Sequence, residues 1–420
     1  MVRQGEKTQA DRTVVVGGGI VGLSCALALQ RQGEPVLLLD PARSPPPASH
    51  GNAGHIAIEQ VEPLASVATL RSLPRRLMAF GGPVSLPPTE IGRWLPFGLR
   101  MIAAARPERF AAGKKALSAL LAEAMPAWRR LAASLEPHGL LKESGHAVVW
   151  HGQEAAVAGL RAWQRTDTGT ARFHAASKEE LAWLARVLKT PPAGGILFEN
   201  TGQVVDPAAV LAALGSAFQA AGGERRTSLV QALELADGAA VLVLTGGERI
   251  RQRRVVVAAG VDSGALVAPL GLKAPIIAER GYHIQSTDHG WPDDLPPIMF
   301  EERSLIVSRF RSGVRASSFV EFTRRDAPAD ERKWQRLEAH AAALGLPARG
   351  PWQHWLGSRP TLPDYLPAIG RAGASNLFYA FGHQHLGLTL GPVTGELVAA
   401  MIAGGESAVP LAPFDLGRFG

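Results

Sequence analysis

Cysteine is nearly missing from this chain: its 420 residues include one, Cys25. A single thiol excludes any disulfide framework within the chain and suits a reducing compartment. Tyrosine is scarce too, at three residues, and charged residues make up only 19 %. With 46 % hydrophobic residues that composition excludes a disordered chain and describes a globular one. Uninterrupted apolar runs of membrane-span length are lacking, since the long uncharged stretch Ala374–Gly395 is broken by His, Gly and Pro. Internal repeats are lacking as well. No secretory leader pattern is visible; Met1–Arg12 is polar and reads as a loose tail, so a cytoplasmic protein is expected. Net charge is +7, with basic residues scattered (Arg71, Arg75, Arg76, then Arg249, Arg251, Arg253, Arg254) and no aromatics interleaved. That argues for a solvated surface over a nucleic-acid face. It leaves peripheral attraction to an anionic inner membrane open.

What the chain does have is glycine in a particular place. Thr13–Val16 is a β-branched run that reads as a buried strand, and Gly17, Gly19 and Gly22 follow as GxGxxG with Ile20 and Val21 inside the motif. The first glycine permits a tight turn, the second lets backbone approach a pyrophosphate, and the third lets helix and strand pack closely. Ile20–Gln30 is apolar at helical spacing, and its amino terminus attracts phosphate. Gly33 ends the helix, and Pro35–Leu39 is a second strand closing on Asp40, about 20 residues past the glycines, where an acid accepts ribose hydroxyls. An acid there favours FAD or NAD over NADP; the loop does not separate those two.

At this length two interleaved domains are expected. After Asp40 a proline-rich loop leads into the small residues Ser49, Gly51, Asn52, Ala53 and Gly54, which would let backbone approach a ligand. From Val61 to about Leu141 the pattern is mostly helical with proline breaks. Trp94, Leu95, Phe97, Leu99 and Ile102 cluster there, compatible with a cap over a site, a membrane-facing patch, or plain core helices. Strands are expected at Gly145–His151 and twice within Gly195–Val205, and a short helix at Lys178–Lys189. Asp206 caps a helix ending at Gly222. Further strands fall at Leu229–Ala236, Ala240–Thr245 and Arg254–Ala258, the last running into Ala259-Gly260, a small-residue turn where open α/β sheets bind ligands. Pro275–Glu321 alternates like antiparallel strands, and Glu331–Gly345 is a helix.

In this order the stretches VVVGGGIVGLSCALAL, SHGNAGHIA, GQVVDPAAVLAAL, VVVAAG, RGYHI, GSRPTLPDYLPAIG and NLFYAFGHQHLGLTLGPVTGELVAAMIAGG resemble the D-amino-acid oxidase superfamily, and bacterial D-amino-acid dehydrogenases in particular. The resemblance implies an α/β fold: a Rossmann-type FAD-binding domain (13–60, 206–274 and 352–420) interleaved with a substrate domain (61–205 and 275–351) on a largely antiparallel sheet with helices. It implies FAD held by Gly17, Gly19, Ile20, Val21, Gly22 and Asp40, with Val230 at the adenine and Ala259 and Gly260 beside it. Ser49, Asn52, Ala53 and Gly54 would run under the flavin side, and Gly382, His383, Gly387, Leu388 and Thr389 along the ring. A helix after Gly391 would point its positive end at the flavin.

The same resemblance puts the substrate carboxylate on Arg359 of GSRP, a role suited to a planar guanidinium. The alternative is a structural ion pair, with Asp364 the nearest candidate. Tyr282, His385 and His55 are the other residues expected at the substrate, and His385 stands where glycine-oxidase relatives carry arginine. The implied partners are a small amino or imino acid and an electron acceptor, quinone or carrier. No metal is expected from His50, His55, His383 and His385, for which the sequence shows no carboxylate or thiolate at ligand spacing. Covalent flavin attachment would fall to His50, because Cys25 lies on the first helix; non-covalent FAD is the expectation.

Overall fold

Continuous apolar strands build the first sheet. Thr13–Val16, Val36–Asp40 and Arg254–Val257 are buried almost throughout, as strands covered on both faces must be. The computed structural model describes residues 12–42, 46–236, 239–373 and 375–420, so the expected tail, Arg12 apart, lies outside the described residues. The sheet runs Glu224–Thr227, Val36–Asp40, Thr13–Val16, Arg254–Val257, Leu377–Phe381 and Ala368–Arg371. All its pairings are parallel except the last. Helices Ile20–Arg31, Pro207–Ala220 and Gly387–Ala403 pack together on one face. A three-stranded antiparallel sheet, Val230–Ala236, Ala239–Leu244 and Arg249–Gln252, shares its apolar cluster with the other face.

Two of those helices touch almost backbone to backbone. A Cβ on Gly395 would lie 2.6 Å from the carbonyl carbon and oxygen of Ser24, which accounts for glycine in the long uncharged stretch. Gln384–Ala403 is long and apolar enough to cross a membrane, but most of it is buried in this core.

The second sheet has nine strands. Gln353–Thr361, Ile277–Ser286, Gly313–Thr323, Leu305–Phe310 and Ile298–Phe300 are consecutive antiparallel neighbours. The last pairs in parallel with His146–Trp150, which continues antiparallel to Gly194–Phe198 and Phe173–Ala175. Helix Glu331–Leu344 packs on its central strands. One expected boundary differs. The sequence assigns segment 353–361 to the nucleotide-binding part from residue 352 onward, yet its backbone pairs along Ile277–Gln285 in the second sheet. Its apolar pattern is too weak to show this, because an edge strand needs burial on one side only.

A further short sheet runs His55–Ile56, Gly202–Val204 and Leu141–Lys142, all antiparallel. The helical region 61–141 splits in behaviour. Pro107–Ala122 and Ala124–Ala133 are core helices, burying Leu117, Leu120, Leu121 and Trp128. Val67–Arg76 buries no residue, and Ile91–Ala104 buries only Phe97.

Candidate active site

A single cleft of about 660 Å³ collects most of the residues singled out above. At one end the glycine loop does what its spacing requires. Gly17 has φ +112°, and a Cβ there would meet the Ala258 carbonyl at 2.3 Å; one on Gly22 would lie 1.8 Å from the Gly17 carbonyl. Gly22 therefore works by packing and does not itself line the cleft, whereas Gly17, Gly19, Ile20 and Val21 do. Helix Ile20–Arg31 has no side chain of its own as a cap, and the Ser49 hydroxyl accepts from Ile20 N–H at 3.1 Å. Asp40 ends its strand at the cleft, accepting from Gly18 N–H (2.8 Å) and paired with Arg225 (3.1 Å). Val230, Ala259 and Gly260 line the same end.

Loop 48–54 crosses the middle, and three residues that sequence reasoning missed hold it against the second sheet. Buried Arg315 donates to the His50 and Asn52 carbonyls and to Gln285, and burial pushes its guanidinium down to about 10. The Trp355 ring covers Gly51, where a Cβ would come within 2.2 Å, and stacks on His283 (centroids 4.8 Å), which bonds the Gly51 carbonyl. Asn52, Ala53 and Ser49 line the cleft, while Gly54 (φ +78°) stands behind, pressed on the Phe310 ring. His50 does not line the cleft. Cys25 is buried in its helix, its thiol pushed up to about 12 by desolvation.

Segment 382–388 forms the facing wall. The helix expected after Gly391 begins four residues earlier, at Gly387, without a side-chain cap. Gly387 and Leu388 thus bring a bare helix start to the cleft. Thr389 is buried behind them, its hydroxyl accepting from Ala57 N–H at 3.0 Å. His383 bonds Thr394 and is pushed down to about 3 by burial. A glycine cradle, a start of helix at each end and a cavity of this size fit an extended dinucleotide with an anionic ring edge at Gly387.

Beyond Gly387 lies Arg359. Strand 353–361 meets segment 382–385 through a bridge between Thr361 and His383, so Arg359 stands at the ring end of the cleft. Its guanidinium lies over Gly281, where a Cβ would be 2.3 Å from Nη2. Its ion partner is not Asp364, which pairs with Arg418 at 2.6 Å, but buried Glu279 across the sheet, at 3.4 Å. Glu279 also accepts from Thr361 and Tyr365 hydroxyls at 3.1 Å each. The Arg359 side chain keeps 26 % exposure and, among the described residues, donates otherwise only to the Phe319 carbonyl, at 3.5 Å. Among the described residues both bonds use Nη1, which leaves donors on Nε and Nη2 at the cleft wall.

His385 lines the cleft with Nε2 2.5 Å from Gln60 Oε1; desolvation pulls it down to about 4, so the ring is neutral at pH 7. His55 bonds Glu59 at 3.1 Å, with its ring 4.1 Å from that of His146. Ligand-type atoms of this trio lie within 4.8 Å of one another, a grouping the sequence reading missed. His146 is pushed down to about 3 by burial and Glu59 is held near 2, where its histidine neighbours outweigh a desolvation that acts the other way. Tyr282 borders the cleft, but its hydroxyl turns to a buried cluster, donating to Glu321 at 2.8 Å beside Arg280 and Lys333. Strand alternation is the reason: Glu279 and Gly281 meet Arg359, so the next side chain points to helix Glu331–Leu344.

Residues 12–401 match the family described as FAD dependent oxidoreductase, DAO. The D-amino-acid oxidase of Bradyrhizobium diazoefficiens is 31 % identical over 98 % of this chain and 99 % of its own. D-amino acid dehydrogenase 2 of Pseudomonas aeruginosa is 29 % identical over 94 % of this chain and 95 % of its own. Among solved structures, glycine oxidase from Geobacillus kaustophilus gives a TM-score of 0.71 at 22 % identity, covering 97 % of this chain and 98 % of that one. A likeness at that identity concerns the fold alone. The chain belongs to the DAO family, and is an FAD-dependent oxidoreductase acting on CH–NH2 groups.

Proposed function

We propose that the protein dehydrogenates a small D-amino or imino acid whose carboxylate is held by Arg359. The observation that carries this is the guanidinium itself: about a quarter exposed at the ring end of the cleft, lying over Gly281, and held by Glu279 at 3.4 Å. A carboxylate bound there forms a planar pair that fixes Cα. FAD, when bound in the cleft, would accept the hydride from Cα; the imine left behind, if from a primary amine, hydrolyses to a 2-oxo acid and ammonia.

The chain's residues orient more than they transfer protons. With Gln60 accepting from Nε2–H, His385 presents Nδ1 as a hydrogen-bond acceptor for the substrate amine; at about 4 it is too weak a base to deprotonate an ammonium. The substrate therefore enters as its neutral amine. Within the class we place cyclic substrates first, D-proline or cis-4-hydroxy-D-proline, on the GNAGHI and GHQHLG stretches. General D-amino acids come second, then glycine or sarcosine. The names of the D-amino-acid oxidase and dehydrogenase relatives support the D configuration.

An anaerobic panel tests this. D-proline, cis-4-hydroxy-D-proline, acyclic D-amino acids, glycine and sarcosine are mixed with the yellow protein, and flavin bleaching is followed. Bleaching by a D-substrate with transfer to a dye is the expected result. If FAD binds and no member bleaches it, the protein is a flavin-binding partner subunit and the proposal fails. Fast re-oxidation by air with peroxide release marks an oxidase; slow re-oxidation marks a dehydrogenase using a quinone or carrier.

The mode of cofactor binding has its own check. With His50 outside the cleft wall and Cys25 buried in its helix, acid denaturation should release all the flavin as free FAD. Flavin colour remaining on the precipitated chain would overturn non-covalent binding.

A further inference from the structure

Helix Ile91–Ala104 is only half used by the fold. Phe97 is its one buried side chain, with Trp94, Met101 and Ala104 packed on the same cluster. On the other side Ile91, Leu95, Leu99 and Ile102 are 44–59 % exposed. At 100° per residue these four fall within about 80° of the helix circumference, a continuous stripe rather than scattered surface leucines. Arg93 and Arg100 are exposed on the shoulder between stripe and buried face. Phe80, the most exposed large apolar side chain among the described residues at 74 %, lies in segment Met78–Phe80.

The segment that carries this stripe is strongly basic. Residues 64–110 hold seven arginines (71, 75, 76, 93, 100, 106 and 109) against Glu90 and Glu108, a net +5 of the chain's +7. Glu90 is moreover occupied by Arg93 and Arg324. A second copy docking through this face would bring two such fields together, which disfavours self-association here. An apolar helical face flanked by arginines instead matches a surface with buried acyl chain beneath and negative charge above.

We propose that Ile91–Ala104 is an interfacial helix that docks the protein on an anionic lipid bilayer, its Ile91–Leu95–Leu99–Ile102 stripe entering the headgroup boundary and the neighbouring arginines meeting lipid phosphates. The surface adjoins the cleft: Leu64, 37 % exposed, precedes helix Val67–Arg76, Arg76 ends it, and both line the cleft. None of the four stripe residues lines the cleft, so docking and turnover are separable.

The test is co-sedimentation of the full FAD-loaded protein with vesicles of phosphatidylcholine alone or with 3:7 phosphatidylglycerol added, in roughly 50 mM and 500 mM salt. Binding to the anionic vesicles at low salt, and weak binding to the neutral ones, is expected. Leu95→Ser/Leu99→Ser should reduce the bound fraction roughly tenfold or more, because it removes two large apolar insertions. Arg71→Glu/Arg75→Glu should weaken binding and flatten its salt dependence. Turnover with a soluble dye should stay at the wild-type value in both variants, so loss of docking and failure of the proposed reaction are told apart. Equal binding to neutral vesicles, wild-type binding by the double serine variant, or no binding to anionic vesicles would overturn the proposal. A dimer in light scattering that the serine variant dissolves would also overturn it, assigning the stripe to a second copy.

Discussion

Replacing Arg359 with alanine should lower kcat/KM by at least ~100-fold, about 3 kcal/mol, with FAD content unchanged. The cost is that of leaving a substrate carboxylate in a partly dry cleft without its cation. Arg359→Lys keeps the charge and loses the planar fork, so it should raise KM strongly and lower kcat as well. An amine without a carboxylate should be a poor substrate for the wild type and lose little further in Arg359→Ala.

Because Glu279 is buried and shares this guanidinium, a structural role has to be separated from a substrate role. Arg359→Ala leaves a buried carboxylate with two hydroxyl donors, Thr361 and Tyr365, and no cation, which destabilises the fold. Adding Glu279→Gln removes that charge. If the double variant regains the wild-type melting temperature but stays slow, Arg359 acts on substrate. If it regains activity too, the arginine serves only to neutralise Glu279 and the carboxylate assignment is wrong. Gly281→Ala offers an independent probe: its methyl would collide with the guanidinium, so KM should rise without loss of charge.

What the sequence made legible was local. Gly17, Gly22 and Asp40 act within one strand–loop–helix unit, so spacing along the chain reports spacing in the fold. Arg359 was legible as a motif, but its partner was not: Glu279 is 80 residues away and opposite it only through sheet register. The nearer Asp364 was the natural candidate, and it is taken by Arg418 from the end of the chain. Tyr282 shows a signal that was present and unread. Alternation forbids neighbours Gly281 and Tyr282 from both presenting side chains to one face, and the small residue is the one that admits the guanidinium. Glu59, four residues past His55, was readable in the same way, whereas His146 reaches it from another strand and was not. The start of the last helix at Gly387 was hidden because GHQHLGLT carries no capping side chain; a bare start is what an anionic ligand edge uses in place of a cap.

Acidification from pH 7.5 to 5 should cost the FAD-loaded protein about 4 kcal/mol of folding stability or more, through histidines buried as neutral rings. His146 and His383 are pushed down to about 3, and His283 well below its usual range, in each case chiefly by desolvation. The sign follows from proton counting. A histidine whose folded pKa is depressed takes up a proton in the unfolded chain below about 6.5 but not in the folded one, so its stability is complete above 6.5 and falls as pH drops towards the folded value. At pH 5 His146 and His383 have each lost about 2 kcal/mol, and His283 adds a loss of the same sign, a large share of the stability of an ordinary domain. Glu59, held near 2, adds its own loss only in the lower window, below about 4.5. Thermal unfolding across pH 7.5, 6.5, 5.5 and 5.0 should therefore show a melting temperature flat above 6.5 and falling by on the order of 10 °C by pH 5. His146→Asn, which keeps a polar group beside Thr201 but cannot titrate, should be less stable at pH 7.5 and lose about 2 kcal/mol less on acidification. A melting temperature that stays level from 7.5 to 5, or an unchanged slope in that variant, would mean that these rings accept protons in the folded state, and that the packing around His55, Glu59 and His146 is open to water.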